Sequence, residues 1–392
     1  MKKELSILFP ACAVRSKKLL CVTDVEHIFV EIDIEKGDIR YFDDPMGYDP
    51  KEWSGTDRIF WKESNMVLLE QNGKRLLKYS LLKNECQYFD INCDDYICCN
   101  FAGAVLSNQD MYLFSRYRDS VLKIDLNTGY VKKKEKLCPD IEYEFNEKEV
   151  IPHMLFSCGC QIENHMWLFT ESNGIAVDYD IEKEQAERHI LPKTIESCSW
   201  AEYRNGLFYI LSKEGKFYEW SSEKDTERQI CDFGPERGYP YFGLMLITGK
   251  QLWMLPLLGE KICIVDLETE KHKEYSGYPE DFSYHAPESW GKYISCCDDE
   301  KNYYLAMHSG NYILSINKKN GKERWIKPGE INEESKIDFI LRNKRGKEEY
   351  EGDPYDIADF MRFLKRDYKI QEKITGKSTG ELIWDLTGRK TG

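Results

Sequence analysis

No stretch of the 392 residues approaches the roughly 20 apolar residues that a membrane-spanning helix needs, and no membrane partner is expected. Positive charge is scarce beside negative: 55 Lys and Arg face 69 Asp and Glu, a formal net charge of -14. A phosphate-binding surface needs clustered cations, so nucleic acid is not an expected partner either. The apolar stretch from Leu5 to Val14 is broken by Ser6 and Pro10 and leads to no clean small-residue cleavage site, which predicts no signal peptide. Catalytic signatures are also missing. The chain has no His-Glu-x-x-His, no phosphate loop and no Gly-rich dinucleotide turn.

Apolar material is plentiful, at 41% of residues, and 25 Tyr, 18 Phe and 9 Trp tilt it toward sheet, where aromatic side chains pack well on a pleated surface. The 14 cysteines are scattered through strand-like stretches rather than gathered in a small framework. They read as reduced, buried thiols of a cytoplasmic protein. Cys158-Gly159-Cys160, with His153 and His165 nearby, and the pairs Cys98-Cys99 and Cys296-Cys297 offer soft ligands. A structural zinc site wants four ligands with turn spacing, so core packing is the expectation, with no metal and no cofactor.

A repeat organises the chain. An apolar run that ends in a polar residue and a turn recurs, and the polar residue falls at Asp33, Ser80, Asp125, Asp180, Ser221, Asp266 and Asn317. The intervals are 47, 45, 55, 41, 45 and 51, which makes seven units. Each anchor has a mechanical role: Asp, Ser or Asn bonds backbone amides just ahead, and a glycine such as Gly37, Gly129 or Gly321 supplies a positive φ. Before the anchors lie matching strands such as Met111-Tyr-Leu-Phe and Leu252-Trp-Met-Leu, and before those a smaller-residue strand such as NFAGAVLS, FSCGCQI or FGLMLIT. With the strand after each turn, a unit holds four strands.

Four strands in a period of roughly 40–50 residues make a propeller blade, with small residues suited to the crowded axis. The expected fold is all-β, a seven-bladed β-propeller of four-stranded blades with a short C-terminal helical extension. IDLNTG at Ile124 to Gly129 and VDLETE at Val265 to Glu270 resemble the strand-end turns of WD40-like and quinoprotein-like propellers, over about residues 9 to 326. The resemblance is architectural and implies no particular activity. The Gly-His pair of WD40 units and the double Gly of kelch units are missing.

Residues 1–328 are read as the propeller and 329–392 as an extension, with a helix at about 353–368 and a candidate closing strand at 381–387. Leu5 to Leu8, spare at the other end, is a second candidate for closing the ring, because closure removes exposed edges.

Connections between blades share one face with the turns between second and third strands, and such a face usually binds. Three connections are long: Phe42 to Arg58, Lys132 to His153 and Gly277 to Lys292. They carry Tyr48, Trp53, Tyr143, Tyr284, His285 and Trp290 among many acids. An aromatic, acidic rim suits a sugar ring or a cationic peptide; the competing reading is that the rings pin the loops and the acids solvate them. Arg116-Tyr117-Arg118, in a turn on the same face, is a candidate clamp for a carboxylate or phosphate. Arg15 belongs to the opposite face. Glu202, Asp298 and Glu63 are the acids best placed to approach the axis. The expected function is a non-enzymatic scaffold that recognises a protein, peptide or glycan through the long-loop face. The alternative is a carbohydrate-active enzyme, a lyase, hydrolase or epimerase, with residues converging at the axial funnel.

Overall fold

A computed structural model of the chain describes residues 11–22, 29–41, 56–62, 65–70, 75–80, 82–83, 85–91, 101–137, 154–239, 241–284, 293–307 and 310–329. These residues form seven four-stranded antiparallel sheets, each made of four consecutive strands in chain order. The sheets are blades 1 (residues 11–41), 2 (56–90), 3 (101–135), 4 (156–190), 5 (200–232), 6 (242–274) and 7 (293–326). First strands adjoin first strands, blade 1 to 2, 3 to 4, 4 to 5 and 5 to 6, and they therefore line the axis. The molecule is a seven-bladed β-propeller.

Sequence patterning accounts for the radial order. Second strands such as Met111 to Ser115 and Met166 to Thr170 are buried on both faces, so they read as unbroken apolar runs. Fourth strands lie at the rim and are polar, as in Gln185–Ile190 and Thr226–Asp232. The core consists of layers between neighbouring blades: Val105, Phe114, Leu168 and Tyr179 join blades 3 and 4, and Phe208, Trp167 and Trp220 join blades 4 and 5.

The seven anchors end the seven third strands, as the repeat predicts. Asp125 Oδ1 accepts from the amides of Asn127 and Thr128 at 2.8 and 3.1 Å, and the same arrangement recurs at Asp33, Asp180, Asp266 and Asn317. Four residues beyond an anchor the backbone turns left-handed, at φ 80, 72 and 69 in Gly37, Gly129 and Gly321. In blades 4 and 6 that position is Glu184 and Glu270, which reach back to cations of the preceding blade, Lys123 and Lys133 in one case and Arg228 in the other.

Two boundaries differ from the expectation. Blade 2 begins with the strand Thr56–Lys62, so Thr56 to Arg58 belongs to a strand rather than to the long connection. Its Ile59-Phe60-Trp61 core is bulky, whereas small residues were the sequence signal for a first strand. Val131–Glu135 is likewise the fourth strand of blade 3, which shortens the connection that follows.

The first strand of blade 1 lies against the first strand of blade 7, which closes the ring, and Arg324 of blade 7 donates to the carbonyl of Ile34 in blade 1. Blade 7 draws all four strands from its own repeat, so neither end of the chain is needed to complete it. Leu5 to Leu8, the helix at 353–368 and the strand at 381–387 lie outside the described residues. Arg324→Ala is expected to lower stability by about 1 kcal/mol, the worth of a charge-assisted hydrogen bond to a carbonyl. Amide exchange should quicken at the edges of blades 7 and 1 and stay unchanged in blade 4.

Candidate functional site

Antiparallel order puts the turns between second and third strands on the same face as the connections between blades. On that face three blades bring polar side chains together. Arg116 follows the second strand of blade 3, Glu171 that of blade 4, and Lys213 comes one residue after the matching position in blade 5. The buried Glu171 carboxylate accepts from Lys213 Nζ at 3.2 Å and from the Met154 amide at 3.0 Å. Ser197, in the connection between blades 4 and 5, donates to Glu214 at 2.6 Å and accepts from the Lys213 amide at 3.0 Å. Burial works against the Glu214 carboxylate, but the Ser197 hydroxyl and backbone donors outweigh it and its pKa is lowered.

Tyr239 completes the cluster from the connection between blades 5 and 6. Its amide donates to the Lys213 carbonyl at 3.0 Å. Burial raises the phenol's pKa; Arg116 opposes the shift, while Glu171 and Tyr117 add to it. Blades 3, 4 and 5 thus act on one phenol. Three glycines let the two backbones cross. A Cβ on Gly238 would lie 1.9 Å from the Lys213 carbonyl oxygen, and one on Gly215 would lie 2.3 Å from that of Gly234. The Nε of Arg116 is buried with no hydrogen-bond partner among the described residues, and its Nη1 meets only the Met154 sulfur, at 3.7 Å. An unpaired guanidinium N–H beside an exposed tyrosine is a place for an outside acceptor.

The expected Arg116, Tyr117 and Arg118 share this turn, with Arg118's amide capped by Ser115 Oγ at 3.1 Å. Tyr284 is on the same face but stands in another group, an aromatic stack with Phe282 and Tyr278 that covers Trp325 of blade 7. Tyr48, Trp53, Tyr143, His285 and Trp290 lie outside the described residues, as does Glu63. Glu171, Lys213 and Tyr239 had not been singled out in the sequence. The available signal was positional: residues just after a second strand always emerge on this face.

A second titratable group lines the axis toward the opposite end. Glu202, at the centre of blade 5's first strand, accepts from the Trp200 indole at 3.0 Å. Burial pushes its carboxyl up to about 7, with the Trp200 bond opposing and the Asp298 charge adding. Asp298 belongs to blade 7, so this influence crosses the axis, and it pairs with Lys318. Cys160 of blade 4 is raised by burial and then by Glu202. The described cysteines are free thiols; Cys158 and Cys198 pack sulfur to sulfur at 3.9 Å between blades 4 and 5. His165 engages Asp178 at 2.8 Å. On the far face Arg15 stacks over Trp61 at 4.9 Å.

The fold and this face define a propeller with a recognition surface. Among solved structures the chain is similar to PorZ, an essential bacterial surface component of the type-IX secretion system of Porphyromonas gingivalis, at 10% identity and a TM-score of 0.54. That match covers 83% of this chain and 39% of PorZ. It is also similar to the extracellular domain of BT4673 from B. thetaiotaomicron, at 10% identity and a TM-score of 0.53, over 81% of this chain and 41% of that one. The chain therefore spans about two-fifths of each, and the likeness shows the fold alone. No family profile and no curated protein sequence matches the chain.

Proposed function

We propose that the protein is a non-enzymatic binding propeller that recognises a protein partner through the face bearing Arg116, Glu171, Lys213 and Tyr239. The observation that carries this reading is the buried, unpaired Arg116 Nε held in a three-blade polar cluster beside an exposed tyrosine. Leu258, 43% exposed, and Tyr239, 36% exposed, add apolar surface on the same face. An aromatic and Arg anchor within a polar rim is the usual anatomy of a protein interface. Supporting this, PorZ is a component of a secretion system. The partner's contact is an acidic or carbonyl-rich segment, since Arg116 and Arg118 supply donors only. The free thiols suit a reducing compartment, and we keep a cytoplasmic location within this reading.

One observation favours a second reading. Glu202 and Asp298 bring two carboxyl groups of different pKa toward one channel, the raw material for acid–base work on a sugar. Both already hold partners of their own, Trp200 and Lys318, and binding remains the better reading.

Arg116→Ala and Tyr239→Ala test the proposal on a partner recovered with the intact chain. Each is expected to weaken binding by about 2 kcal/mol, near thirtyfold in Kd, as interface anchors do. Full affinity in both variants would reject this face.

A further inference from the structure

Between blades 6 and 7, away from the cluster above, a cleft of about 420 Å³ opens along the outer strands. That volume falls within the roughly 300–1,000 Å³ of small-molecule sites. Its wall on the blade 6 side is one cross-strand row, Trp253 paired with Ile264 and Ile264 with Lys273. Its other wall is the turn of blade 7 around Gly321.

Two pairs of opposite charge line it, Lys273 with Glu274 and Lys322 with Glu323, so the lining has no net sign. This disfavours a phosphate, a carboxylate or a polycation. Gln251 and Asn320 add side-chain amides, each both donor and acceptor. Trp253 and Tyr275 supply the aromatic component, their rings 5.4 Å apart. Trp253 is 1% exposed and its indole N–H has no hydrogen-bond partner among the described residues. Burial raises the Tyr275 phenol to about 12; the Trp325 indole opposes this, and the nearby Glu323 carboxylate adds to it. Donors and acceptors at close spacing, balanced charge and aromatic carbon match one ligand chemistry, a neutral polyhydroxylated ring.

We infer that the cleft between blades 6 and 7 is a carbohydrate site that takes a neutral mono- or disaccharide, separate from the protein-binding face. Carboxylate and ammonium groups address vicinal hydroxyls from both sides, while Gln251 and Asn320 fix the ring's orientation. Ser276 stands exposed on the rim.

The test uses the full chain, labelled with ¹⁵N at tryptophan, and five probes: glucose, galactose, N-acetylglucosamine, maltose and lactose. At least one sugar is expected to receive saturation transfer from the protein and to move the Trp253 indole resonance, assigned through Trp253→Phe. Gln251→Ala and Ser276→Trp should each weaken that sugar by at least about tenfold, the equivalent of one lost hydrogen bond or more. Both replace residues near the rim, and unchanged spectra for the other indoles will verify their folding. Tyr117→Ala, on the protein-binding face, should leave sugar binding unchanged. Absence of transfer to all five sugars, or transfer that survives both cleft variants, would overturn the inference. Loss in Tyr117→Ala alone would place sugar on the other face and equally overturn it.

Discussion

Glu202→Gln is expected to melt at a higher temperature than the natural protein at pH 8 and at nearly the same temperature at pH 4. The folded protein holds the Glu202 proton up to about pH 7, while an unfolded chain releases it near 4.5. Between these values the folded state binds more protons than the unfolded state, so stability falls as pH rises through the window. Above it the full cost is in place, about 3 kcal/mol at 1.36 kcal/mol per pKa unit. Glutamine accepts the Trp200 N–H as glutamate does and carries no charge to desolvate, which removes the cost. Its new amide donors face the Asp298 side. Thermal melts of both proteins from pH 4 to 8 check this, and parallel curves across the range would show that Glu202 ionises freely.

Gly238→Ala is expected to cost about 3 kcal/mol and to abolish partner binding, because overpacking of this severity moves backbone rather than side chain. The new Cβ meets the Lys213 carbonyl oxygen at 1.9 Å and the Gly215 nitrogen at 2.9 Å, and neither is a flexible side-chain end. Relief requires the connection to lift, which carries away Tyr239 and breaks its amide bond to Lys213. Gly206→Ala is the control. There φ is +83 and a Cβ meets nothing within 4 Å, so only backbone strain of about 1–2 kcal/mol applies. Chemical denaturation and binding of the two variants separate collision from strain. Equal losses in both would show that the crossing at Gly238 yields easily.

The blades were legible because each solves the same local problem. An Asp or Asn that caps its own turn must stand at the strand's end, and Asp125, Asp180, Asp266 and Asn317 therefore marked the third strands to the residue. The first strand of blade 2 escaped because Phe60 and Trp61 are large, and position about the axis depends on what the neighbouring blades leave open. Arg116 was legible as a basic residue in a short turn. Its partners were not: Glu171, Lys213 and Tyr239 lie 55, 97 and 123 residues further on, and only the circular arrangement brings them together. Glu202 could be named as an acid near the axis, yet its raised pKa depends on burial and on Asp298 across the channel, which no local pattern encodes.

Site-specific photo-crosslinking tests the binding face most directly. A photoreactive residue is placed at Tyr117 or Tyr239 on the proposed face, and at Leu82 or Tyr130 in turns of the opposite face, where exposure is 84% and 71%. The expected result is one discrete protein adduct from Tyr117 and Tyr239, lost when Arg116 is also replaced by alanine, with none from Leu82 or Tyr130. The same adduct from the opposite-face positions, or an adduct indifferent to Arg116, would contradict recognition through this surface.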